Sequence, residues 1–124
     1  MTVNEAIEMT DRLKPNQFEH EQKVDWLSKL DGMIFREVIQ THKDAPIFHF
    51  DGYENADPDT ELIVPYPYCD DVYNYFLQSQ IDKENGEIVK YNQSVTMYNN
   101  AYQRFWNYWN REHLPLPASS RWKF

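Results

Sequence analysis

The chain is 124 residues long, enough for one domain with a real core. Its formal net charge of −8 argues against a nucleic-acid backbone as ligand, because phosphate binding needs a cationic face. No apolar run approaches the roughly 20 residues of a membrane span, and the opening Met-Thr-Val-Asn-Glu lacks a basic-then-apolar signal pattern, so a soluble intracellular protein is expected. Nine Tyr and four Trp combine apolar bodies with polar tips, which suits cores and protein interfaces alike.

Thr2 and Glu5 have the spacing of a capping box, and Ala6, Ile7, Met9 and Leu13 then predict a short helix ending before Pro15. A second helix is expected from about Phe18 to His42, with a core stripe of Val24, Leu27, Leu30, Ile34 and Val38 and with Trp26, Met33 and Phe35 on its flanks. Gly32 lies inside it, so Asp31-Gly32 is read as a kink or a close helix crossing.

Residues 43–68 change character. Asp44, Pro46, Gly52, Asn55, Pro58, Pro65 and Pro67 break any helix, while Ile47-Phe48-His49-Phe50 and Glu61-Leu62-Ile63-Val64 suit short extended segments. The expectation is an ordered, proline-bearing arm or a short hairpin between the second and third helices. A third helix should start near Cys69 or Asp70, with both aspartates at its positive end and a buried stripe of Val72, Tyr73, Phe76, Leu77, Gln80 and Ile81. Asn85-Gly86 then offers a left-handed cap that folds the next helix back beside it.

From Gly86 to His113 the apolar residues Ile88, Tyr91, Val95, Tyr98, Tyr102, Phe105 and Trp109 recur at alternating steps of three and four. That is the period of one helical face. This fourth helix should build the core with helices 2 and 3, because Asn and Tyr are mediocre helix formers and need tertiary cover. After it comes Leu-Pro-Leu-Pro-Ala-Ser-Ser-Arg-Trp-Lys-Phe, an extended tail. The reading is therefore mainly α, a small bundle of about four helices in one domain over 1–114 with its arm at 43–68, and an extended C-terminal tail over 115–124.

No catalytic, cofactor or metal constellation emerges. Asn55, Asp57, Asp59 and Glu61 alternate like a calcium loop, but Thr60 and Tyr66 stand where Gly and Glu are required. His20, His42, His49 and His113 lack paired ligand spacing. Asp70 and Asp71 are neighbours that point about 100° apart on a helix, which favours capping over acid–base work. Cys69, the only cysteine, excludes an intrachain disulfide and reads as a small packed residue. Asn92-Gln93-Ser94 matches a glycosylation acceptor but has no secretion signal beside it.

Charge is uneven along the chain. Residues 1–60 carry 13 acidic and 6 basic groups, whereas Arg104, Arg111, Arg121 and Lys123 make the end positive, the asymmetry a head-to-tail contact would use. The residues expected to meet partners are Tyr53, Tyr66 and Tyr68 on the arm and Arg111, Arg121, Trp122 and Phe124 at the C-terminal end.

Four stretches carry a family resemblance: Asp11-Arg12-Leu13-Lys14-Pro15-Asn16, the segment from Lys23 to Gly32, the run from Glu61 to Tyr68, and Ile81-Asp82-Lys83-Glu84-Asn85-Gly86-Glu87-Ile88 leading into Tyr91-Asn92. Over roughly residues 4–115 the chain resembles the head-to-tail connector (adaptor, neck) proteins of tailed phages and prophages of Gram-positive bacteria. The resemblance implies a mostly helical subunit that forms a ring below the portal and passes DNA through its centre. Its partners would be copies of itself, the portal, and tail or head-completion proteins, in the virion and, before assembly, in the bacterial cytoplasm. An acidic lining would repel rather than grip the duplex. No site residue transfers. The alternatives are a small regulatory or host-interaction module of phage origin, gripping a partner around Trp106, Trp109 and Trp122, and, more remotely, an enzyme.

Overall fold

In a computed structural model, which describes residues 1–47, 49–54 and 58–116, the chain is mainly α. Its four helices are α1 (Val3–Leu13), α2 (His20–Ile34), α3 (Cys69–Glu84) and α4 (Ile88–Glu112). Helix α1 opens on the expected capping box: Glu5 N–H donates to the Thr2 hydroxyl at 3.1 Å and Thr2 N–H to the Glu5 carboxylate at 2.9 Å. That satisfies two of the donors a helix start leaves unpaired.

Helix α2 buries Val24, Leu27, Leu30 and Ile34 as its period requires. It then passes into one wide π-helical turn, Phe35–Ile39, closed by Gln40 N–H donating to the Phe35 carbonyl at 2.9 Å. The irregularity thus falls after Gly32, not at it, and a Cβ on Gly32 would meet only Phe50, at an ordinary 3.9 Å. The wide turn spreads the stripe, so that Phe35, Val38 and Ile39 are all buried together with Ile34. Thr41 caps the end by donating to the carbonyls of Glu37 and Val38, and Asp44 turns the chain with φ +57°.

Helix α3 is the central element, packed against α1, α2 and α4. Gly86, at φ +72°, makes the left-handed turn from which α4 folds back along it. The expected aromatic face of α4 is only partly covered. Phe105 and Trp109 are buried, Tyr91, Val95, Tyr98 and Tyr102 are half-buried, and Ile88 is 71 % exposed. The buried side also carries Ser94 and Ala101, small residues that let α4 lie close to α3. Helix α2 and α4 make few direct contacts, so α4 completes the core mainly through α3. Outside α3 it also meets His42, whose ring lies edge-on to Trp106 with centroids 5.6 Å apart, and Tyr68, whose ring lies 5.0 Å from that of Tyr108.

The described part of residues 43–68 forms a strap without internal strand pairing, so no hairpin is found there; Phe48, Asn55 and Asp57 lie outside the described residues. The strap is tied to helices instead. Val3 N–H donates to Thr60, Asn4 N–H to Pro58, and Leu62 N–H to Met1, all onto carbonyls, and Leu62 and Val64 are buried. At the other end of the chain, Pro115 pairs with His42, Lys43 N–H donates to the Leu114 carbonyl and Leu116 N–H to that of Thr41. The first residues of the expected tail are therefore edge-paired to the domain.

Two buried carboxylates and a candidate contact surface

Among the described residues two aspartates are fully buried, and each is a hub where several elements meet. Asp31 sits on the α2 stripe facing α3 and the strap. Its Oδ1 accepts from the Tyr73 hydroxyl at 2.7 Å, and its Oδ2 accepts from the Tyr53 hydroxyl and, at 3.1 Å, from Ile63 N–H. The Tyr73 oxygen in turn accepts from Val64 N–H at 2.8 Å. One carboxylate thus fixes the strap at Tyr53, Ile63 and Val64 to two helices. Ser28 adds a clasp beside it, accepting from Tyr53 N–H at 2.7 Å and donating to the Tyr53 carbonyl at 3.2 Å.

All the donors on Asp31 are neutral. Burial therefore dominates and pushes its carboxyl up to about 6, although the bonds from Tyr53, Tyr73 and Ile63 each act the other way. Burial, followed by the Asp31 charge, raises both tyrosine hydroxyls above their ordinary value, so they remain donors.

Asp82, near the end of α3, is held differently. Lys14 places its ammonium 2.7 Å from both carboxylate oxygens, and Ser94 of α4 donates to Oδ2 at 2.7 Å. This ion pair joins α1, α3 and α4. A second pair, Lys23 to Asp11 at 2.8 Å, ties α2 to α1, with Lys23 almost entirely buried. Among the described residues no group of three His, Cys, Asp or Glu side chains converges as a metal set.

The expected contact residues separate. Tyr53 is turned inward onto Asp31, so its hydroxyl serves the scaffold rather than a partner. Tyr66 is 82 % exposed on the corner between Pro65 and Pro67. Tyr68 is half-buried with its ring 5.0 Å from that of Tyr108. Beside them, Pro67, Tyr68, Asp71, Ala101 and Arg104 line a hollow of about 150 Å³, at whose edge Arg104 meets Asp71 at 3.2 Å. Arg111 is exposed but lies outside this cluster. Arg121, Trp122 and Phe124 lie outside the described residues. Of the other tryptophans, Trp109 is buried and stacks on His113 at 3.9 Å, whereas Trp106 is half-buried against His42.

His42 is buried between Val38 and Asn110. Its Nδ1 lies 2.6 Å from the Val38 carbonyl oxygen and its Nε2 2.6 Å from Asn110 Oδ1, so both ring nitrogens are engaged. Cys69 is buried, with burial the main cause raising its thiol. Asp59 and Glu61 of the calcium-like run are exposed, and Glu61 pairs with the Met1 ammonium at 3.0 Å. No helix among the described residues is long and apolar enough to cross a membrane.

No protein-family model matches the chain, and neither the curated proteins nor the solved structures yield a significant match.

Proposed function

We propose that the chain is a non-enzymatic structural subunit of a tailed phage or prophage, a head-to-tail connector that acts through protein–protein contacts. The observation that carries this reading is Tyr66, 82 % exposed between Pro65 and Pro67 on the segment that leads into Tyr68, whose own ring lies 5.0 Å from that of Tyr108. A large, polar-tipped ring presented at low entropic cost is a favoured anchor for a protein interface. The strap just before it is fastened over residues 58–64, by the start of α1 and by the Asp31 network, so the corner follows a fixed segment.

The resembling stretches support the same reading. They contain Asp11, Lys14, Lys23, Asp31, Asp82 and Gly86, the residues that set the ion pairs, the strap and the α3–α4 turn. A likeness that includes these scaffold residues points to a shared subunit shape, and a connector works by shape. The acidic balance suits a ring through which DNA passes without being held.

Co-purification with the portal protein encoded in the same genome tests the proposal. The native chain is expected to be captured, and Tyr66→Ala to reduce capture while leaving the far-UV spectrum unchanged. Failure to bind the portal, with capture of a host protein instead, would favour the regulatory-module reading.

A further inference from the structure

Helix α4 is 25 residues long, about 37 Å. From Tyr91 to Gln103 it carries no charged residue, in a chain where charged residues make up 26 %. Opposite the buried Ser94, Ala101 and Phe105 lie Val89, Asn92, Gln93, Thr96, Asn99, Asn100 and Gln103, all exposed. Val89 is 72 % exposed and Met97, on the edge of the strip, 43 %. Lys90 leans to the side, 3.4 Å from Glu87.

We propose that this strip is a homotypic docking surface, on which a second copy of the chain packs its own α4 antiparallel about a two-fold axis at Thr96. Two arguments select that occupant. A carboxamide both donates and accepts, so a face of Asn and Gln is complementary to itself, whereas a face of one charge is complementary only to its opposite. Two copies that each carry −8 repel over most of their surfaces, and this strip lets them meet without apposed like charges.

The register follows from the residues. A two-fold axis at Thr96 sets Val89 against Gln103, Asn92 against Asn100 and Gln93 against Asn99. Antiparallel packing places the positive end of one helix near the negative end of its mate, which parallel packing would not. A polar strip of this size gives a dimer that dissociates on dilution rather than an obligate one. The inference stands on α4 alone and does not need the connector reading.

The test uses the full chain. Sedimentation equilibrium up to about 1 mM should show a monomer–dimer equilibrium, and Thr96→Glu, which sets two carboxylates face to face on the axis, should weaken it by about tenfold or more. Thr96 makes its side-chain bond only to the Asn92 carbonyl of its own helix, so the variant should keep the native spectrum. Under mild oxidation Thr96→Cys should form a disulfide with itself far faster than Asn107→Cys, which the register places off the axis; native Cys69 is buried. A chain that is monomeric throughout, an unchanged equilibrium for Thr96→Glu, or equal cross-linking at the two positions would each overturn the proposal. Monomeric behaviour with intact portal binding would overturn it while leaving the connector reading in place.

Discussion

Asp31 and Asp82 are both fully buried, yet their surroundings differ in kind. Asp82 meets the two-point contact of the Lys14 ammonium and one hydroxyl. Asp31 meets two phenols and a peptide N–H, and no cation is among its described partners. The first arrangement cancels a charge at the end of the helix hairpin. The second leaves a charge in place and uses it to order a segment with almost no regular structure of its own. Apart from the isolated bridge of Glu61 to Thr2, the strap's N–H groups need other strong acceptors, and an ionised carboxylate is stronger than a neutral one.

Removing the cation from the Asp82 hub should therefore have the largest effect. Lys14→Met keeps the aliphatic stem but strands a buried carboxylate, so stability in urea should fall by roughly 3–5 kcal/mol. Adding Asp82→Asn to that background should recover a good part of the loss. If Lys14→Met costs no more than a surface substitution, the pair is not the constraint its geometry implies.

At the Asp31 hub the diagnostic is pH. The carboxyl titrates near 3.8 in the unfolded chain and is raised to about 6 in the folded one, so between these values the folded state holds the extra proton. Its stabilising contribution is complete below about 4 and is lost as pH rises to about 6, a change of about 3 kcal/mol. The sign is opposite to that of an ordinary salt-bridged carboxylate. Subtracting the profile of Asp31→Asn from that of the native chain isolates it, because contributions from other groups, such as Glu5, whose carboxyl is lowered by its bonds to Thr2, cancel in the difference. A difference curve that is flat, or that rises with pH, would remove Asp31 as an unneutralised hub.

The two tyrosines on Asp31 should rank by the bonds they make. Tyr73→Phe loses a bond to the carboxylate and strands Val64 N–H in a buried position, at a cost of roughly 2–3 kcal/mol. Tyr53→Phe loses one bond at a half-buried site and should cost roughly 1 kcal/mol in the same urea titration.

The contrast also explains what was legible in the sequence. Helix existence, the capping box, Gly86 and the core stripe of α2 follow from local chemistry and period, and each is found where the residues placed it. Asp31 left a trace as well: Val24, Leu27, Asp31, Ile34 and Val38 follow steps of three and four, so an acid stands in an apolar row. Weighting the stripe by its apolar members hid it. On α4 the same weighting favoured rings over the small residues Ser94 and Ala101, although helix packing distance is set by the latter. The partner of Asp82 is 68 positions away in Lys14, and Tyr53 reaches Asp31 across a loop; no local pattern encodes such meetings. Tyr53 was expected outside because it lies among loop residues, and it turns inward because a buried carboxylate needs its donor.

The smallest expected effect concerns the independence of the two hubs. Tyr73 and Asp82 are nine residues apart on α3, about 13 Å along its axis, and no hydrogen bond among the described residues links the two networks. Ser94→Ala removes one donor from Asp82 and should cost roughly 1–2 kcal/mol. Combined with Tyr53→Phe, the losses should add to within about 0.5 kcal/mol, as they do for separated sites. A larger coupling would mean that α3 transmits strain between its ends, and that the strap and the α4 hairpin respond as one body when either is loaded by a partner.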